Sequence, residues 1–192
     1  MPIIKYAKIV EELMQKPLFT AKELELRGVP PSYVKRLANL LKKKGKISIV
    51  EKGKYAVVDN SYLVASFLTF PSYISMFSAL FLREAILQVP MTIQIVTTRK
   101  RKNKKVVYND TEIEFFKIKK ELFFGFEYIW HEGYQIPVAK PEKAIFDALY
   151  FGFDITDVDI DFSKIDCTEL IDYFRTIGKK SVLKKLRRSL KC

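Results

Sequence analysis

Apolar side chains recur at Ile3, Tyr6, Ile9, Val10, Leu13 and Met14, which puts them on one face of a helix over residues 3–15. Pro17 ends that pattern, since proline offers no amide hydrogen to the turn before it. Thr20 stands three residues before Glu23, the spacing of a capping box, so a second helix is expected over Ala21–Leu26, with Gly28 as its stop. Pro30-Pro31-Ser32 opens a third helix, with Ser32 as the expected N-cap. In it, Val34, Leu37, Ala38, Leu40 and Leu41 share one face, while Lys35, Arg36, Asn39, Lys42 and Lys43 share the opposite one. Gly45 closes the helix. Two short runs, Ile47–Glu51 and Lys54–Val58, then flank Lys52-Gly53 in the pattern of a β-hairpin.

Helix, helix, turn, helix and a two-stranded wing, in that order, predict a winged helix-turn-helix domain over residues 1–60. Asp59-Asn60-Ser61 reads as a linker into a second domain, residues 61–192. Residues 60–82 are nearly uncharged and read as strand-like or loop sequence followed by a buried helix, which Pro71-Ser72 starts. Met91–Thr98 alternates as a strand. Lys105–Tyr108 and Glu112–Ile118 continue the sheet around an Asn109-Asp110 turn, and Leu122–Trp130 with Tyr134–Val138 make a further hairpin closed by His131-Glu132-Gly133. Helices are expected over Glu142–Phe151, about 163–177 and about 180–189. The fold class is therefore α+β: the winged unit plus a C-terminal mixed α+β domain with an antiparallel sheet and flanking helices.

Composition narrows the classes. Of 192 residues 48% are apolar, too many for a disordered chain, and 7 Gly with 8 Pro exclude a collagen-like one. No apolar run reads as a membrane span, and the Met1 end does not read as a signal peptide. Two cysteines, Cys167 and Cys192, cannot make a disulfide framework or a four-cysteine zinc site, so a reduced cytoplasmic protein with no membrane partner is expected.

Charge changes the picture more. Lys and Arg number 34 against 22 Asp and Glu, for a net charge of +12, and the excess falls in blocks. Residues 1–60 hold thirteen basic and six acidic side chains, and Arg99–Lys105 holds six cations without an acid. A third basic block runs from Arg175 to Lys191, behind an acidic stretch over residues 146–172. Such segregation points to a polyanionic partner. On the third helix, Arg36 and Asn39 have the donor and acceptor geometry for bidentate contacts to guanine and adenine. Lys35, Lys42 and Lys43 flank them, Ser32 and Tyr33 at the helix start are placed for phosphate or base edges, and Lys52 and Lys54 are placed on the wing for the backbone. Arg99, Arg101, Lys104 and Lys105 form a candidate second DNA contact, with an exposed loop as the alternative. The expected partner is double-stranded DNA, an operator with inverted repeats; a basic face that binds an acidic protein is the competing reading.

Catalytic constellations are weak, and no cofactor or metal is expected. His131 is the single histidine and falls in a turn. Asp157-Val158-Asp159-Ile160-Asp161 imitates the start of a calcium loop, but Phe162 and Thr168 stand where glycine and glutamate belong. Glu142, Lys143 and Asp147 lie at helical spacing and read as a helix-surface ion pair and a cap rather than as a nuclease cluster. The expectation is a binding protein, not an enzyme, with a metal-dependent nuclease as the remote alternative.

Two sets of residues resemble the AbiEi-type antitoxin and transcriptional regulator family of abortive-infection systems. One is Phe19-Thr20-Ala21-Lys22-Glu23-Leu24 through Tyr55. The other begins with Pro71-Ser72-Tyr73-Ile74-Ser75-Met76-Phe77-Ser78-Ala79-Leu80, continues through the strand ending Val96-Thr97-Thr98-Arg99, and ends with Val138-Ala139-Lys140-Pro141-Glu142-Lys143-Ala144-Ile145-Phe146-Asp147. The resemblance spans roughly residues 1–150. It implies a winged domain that represses its own operon and an antitoxin domain that counters a nucleotidyltransferase-like toxin encoded beside it, a type IV toxin–antitoxin pair. A stand-alone regulator of the same fold is the other outcome.

Overall fold

The computed structural model describes residues 2–177. The helix expected over 180–189, Cys192 and most of the third basic block lie outside the described residues.

The first elements are α1 (Pro2–Leu13), β1 (Leu18–Thr20), α2 (Ala21–Leu26), α3 (Pro31–Lys43), β2 (Ser48–Glu51) and β3 (Lys54–Ala56). The capping box forms as the spacing predicts. The Glu23 amide donates to Thr20 Oγ1 at 3.2 Å, and the Thr20 amide donates back to Glu23 Oε2 at 2.8 Å. Gly28 adopts φ +92° at the end of α2, a left-handed stop that a side chain would strain. The cap of α3 differs from expectation: Pro30 takes that place, Pro31 is the first helical residue, and Ser32 makes no capping bond. Proline suits the first helical position because its fixed φ fits and its missing N–H would be unpaired there anyway. β1 adds a third strand to the wing, in the order β1-β3-β2, all antiparallel. A strand of three residues is too short to show a period. Leu13, Phe19, Leu24, Leu37 and Leu41 lie at the centre of this unit's core.

The second set is α4 (Ser61–Phe67), β4 (Ser72–Ile74), α5 (Met76–Leu82), β5 (Thr92–Thr97), β6 (Lys105–Tyr108), β7 (Thr111–Lys117), β8 (Phe126–His131), β9 (Tyr134–Ala139), α6 (Pro141–Tyr150) and α7 (Cys167–Ile177). Six strands form one sheet in the order β6-β7-β5-β4-β9-β8. The antiparallel pairs β4–β5, β6–β7 and β8–β9 are joined by two parallel pairs, β5–β7 and β4–β9, so the sheet is mixed. Two assignments change. The linker at Asn60 is a helix start, its side chain accepting the Leu63 amide at 3.0 Å to cap α4. Pro71-Ser72 leads not into a helix but into β4, and the helix begins only at Met76. A central strand covered on both sides reads as an unbroken apolar run, which periodicity cannot separate from buried helix.

The two sets meet through side chains. Leu18 and Ala56 pack with the larger core. Tyr108 Oη donates to the Val58 carbonyl at 2.7 Å, and Asn109 Nδ2 to the Asp59 carbonyl at 2.8 Å.

Candidate nucleic-acid interface

α3 buries Val34, Leu37, Ala38 and Leu41 and leaves Ser32, Lys35, Arg36, Asn39, Lys42 and Lys43 exposed. The division follows from the 3.6-residue period, with apolar and polar positions on opposite faces. All of these exposed residues except Lys42 line a shallow groove of about 390 Å³ together with Leu40. Tyr33 departs from its expected role. Its ring packs 5.5 Å from the Tyr6 ring, its hydroxyl is buried, and the Arg36 guanidinium lies 5.9 Å from its centroid. Tyr33 thus supports the helix start and Arg36 from below rather than reaching outward.

The wing separates its two lysines. Lys52 is exposed at the tip, beside Gly53 at φ +75°, whose carbonyl accepts the Ala21 amide at 2.8 Å. A bulge between Ile49 and Glu51 shifts the β2–β3 register at that end. Lys54 is turned the other way. Its ammonium lies 2.7 Å from Glu51 and donates to the Leu68 carbonyl. Arg101 reaches the same carboxylate from the second unit, with both Glu51 oxygens at 2.9 Å, and also donates to Thr69 and stacks 3.9 Å over the Phe115 ring. Burial works against the charged form of Glu51, but the hydrogen bonds and charges of Lys54 and Arg101 outweigh it and hold the carboxyl below its ordinary value.

The basic run is sorted by this geometry. Arg101 is committed to Glu51, and Lys105 to Glu112 at 2.8 Å. Arg99, Lys100 and Lys104 stand exposed around a cavity that Arg101 also lines. Of the four candidates for a second contact, Arg99, Arg101 and Lys104 thus share one cavity, with Arg101 turned to Glu51, while Lys105 pairs outside it with Glu112.

A second cluster lies inside the sheet domain. The surface ion pair expected at Lys143 and Asp147 is fully buried, Nζ to Oδ1 at 2.6 Å with both side chains at 0% exposure. Tyr73 Oη and Ser75 Oγ donate to the other carboxylate oxygen at 2.9 and 2.7 Å. Lys143 Nζ sits 4.4 Å from the Phe146 ring centroid and 4.8 Å from that of Phe124. Burial pushes Asp147 up and Lys143 down, each against the pull of the other, and burial beside the Asp147 charge pushes the Tyr73 hydroxyl well up. Glu142 caps nothing on its own helix and instead accepts the Asp166 amide at 2.6 Å. Met76, next to Ser75, is held at φ +52°. The two motifs around residues 71–80 and 138–147 thus converge on one enclosed polar knot between β4 and α6. Its signal in the sequence is polar residues at positions where the period demands apolar ones. Among the described residues no three His, Cys, Asp or Glu side chains gather as a metal site, and no helix is long and apolar enough to cross a membrane.

A helix with a cationic outer face beside a wing, joined to a mixed α+β unit, defines the class: a winged helix-turn-helix region followed by a mixed α+β region. A family model described as "Transcriptional regulator, AbiEi antitoxin" matches residues 8–58. That span ends with the wing and leaves the remainder of the chain unassigned. No curated protein matches the chain.

Proposed function

We propose that the protein is a sequence-specific DNA-binding regulator that represses its own operon, with residues 1–60 as the reading domain and 61–192 as an antitoxin domain. The matched family and the winged fold support a regulatory or antitoxin-family role at the coarser level. The observation that carries the finer reading is the outer face of α3, where six polar or cationic residues are exposed together with Lys52 on the adjacent wing. A helix of this kind enters a major groove, Arg36 and Asn39 reading base edges while the lysines neutralise phosphates. Lys54 takes no part in this reading; it secures the wing.

Titration of the promoter region of the chain's own operon, in a mobility-shift assay at several salt concentrations, tests the proposal. Retention of the promoter over unrelated duplex supports it, and equal affinity for both overturns it. The second half of the proposal assigns the sheet domain to a nucleotidyltransferase-like toxin encoded alongside. Co-expression with the neighbouring reading frame should relieve that frame's toxicity, and persistence of toxicity would sink that half alone.

A further inference from the structure

β5 and β7 run parallel, with Thr97 opposite Lys117, so their carboxyl ends open on the same edge of the sheet. The connection out of β5 wraps this edge and encloses a cavity of about 500 Å³. Crevices beyond the carboxyl ends of parallel strands are where open sheets bind ligands, and this volume is that of a single small molecule. Arg99, Lys100, Lys104 and Lys117 bring exposed cationic side chains to its lining. Among the described residues none of the four has a salt-bridge partner. Among the described residues the one acid of the lining is Glu114, already 3.9 Å from Lys105. Four like charges around one concavity repel one another, and a multivalent anion relieves that repulsion. The remaining wall is aromatic: the half-buried rings of Phe116 and Phe151 meet at 5.1 Å.

We propose that this cavity binds a nucleoside polyphosphate, with the phosphates on Arg99, Lys100, Lys104 and Lys117 and the base against Phe116 and Phe151. Cations alone would suit inorganic phosphate, but the aromatic wall gives a planar base a surface to stack on. The recess has the volume of one small molecule and lies on different elements from the open groove along α3. Arg101, on the same wall, holds Glu51 of the wing, so the occupant sits one side chain away from the DNA-reading unit.

The test is calorimetric titration of the full chain, without DNA, using ATP, pyrophosphate and adenosine. ATP should bind more tightly than pyrophosphate, and adenosine weakly or not at all. Arg99→Ala with Lys104→Ala should weaken ATP and pyrophosphate by about tenfold or more. Both residues are exposed, so folding is retained. Phe151→Leu, which keeps apolar packing, should weaken ATP by about fivefold or more and leave pyrophosphate unchanged. No saturable ATP binding, or binding indifferent to the charge variants, overturns the site. Equal affinity for ATP and pyrophosphate overturns the nucleoside assignment, and displacement of ATP by short duplex DNA would give the cavity to the DNA backbone instead. The titrations with ATP, pyrophosphate and adenosine contain no DNA, so their outcomes are independent of whether α3 reads an operator.

Discussion

At the scale of single residues, the side chains with the sharpest consequences are those with no freedom to move. Lys143 and Asp147 are both sealed from solvent, so removing one leaves the other charge buried and unpaired. Lys143→Met should therefore cost about 3–5 kcal/mol in urea denaturation, while replacing both residues with apolar ones recovers much of the loss. Tyr73→Phe removes one donor to the carboxylate and should cost about 1–3 kcal/mol. Gly125 belongs to the same knot: it sits at φ +70°, and a Cβ there would stand 3.0 Å from Lys143 Cβ. On α3 the expectation is different in kind. Arg36→Ala or Asn39→Ala should lower operator affinity by about 1–3 kcal/mol and relax base preference, with stability unchanged. Unaltered selectivity in a competition assay would mean that neither residue touches a base.

At the scale of elements, the wing behaves as two halves. Lys52→Ala should weaken binding to all sequences alike and reduce the salt slope by about one. Lys54→Ala should leave that slope in place and instead loosen the wing from the sheet domain. Glu51 adds a pH dependence with a definite sign. Its carboxyl is held below the ordinary value of 4.5, so its contribution is complete above that pH and fades as the pH falls through its lowered folded value. The stability difference between the wild type and Glu51→Gln should shrink on acidification below about pH 4.5, and a difference that grows instead would show that Glu51 is not ionised in the folded state. The same elements show what could be read from sequence. α2 and its capping box were legible because Thr20 and Glu23 interact within one turn. The outward face of α3 was legible because the helical period is local. β4 reads as a helix start in sequence because its burial comes from partners distant in the chain, β5 and β9. Arg101 reads in sequence as part of a second DNA contact or an exposed loop because its partner, Glu51, lies fifty residues away.

At the scale of the whole molecule, the described basic side chains, drawn from a chain of net charge +12, are put to different uses. One portion faces outward on α3 and Lys52, a second is spent on internal ties at Lys54, Arg101 and Lys143, and a third rings the cavity beyond β5 and β7. The two cores are not independent, because Leu18 and Ala56 belong to the larger one and Glu51 is shared between them. Urea unfolding followed by tyrosine environment and by backbone signal should accordingly give coincident transitions. Two separated transitions would show that the ties between the units are energetically slight.

The place of β4 in the middle of the sheet also sets a timetable. Its partner on one side, β5, begins at Thr92 and pairs Ile74 with Ile95, but on the other side Ile74 pairs with Val138, three times as far along the chain. During synthesis at about 5–20 residues per second, that flank of the strand waits several seconds before β9 leaves the ribosome. The main contributors to the smaller core, by contrast, have all been made by Tyr55. The nascent chain thus passes through an interval in which α3 can already be in place while the centre of its sheet is still open, and in that interval it is most exposed to chaperones and to misassociation.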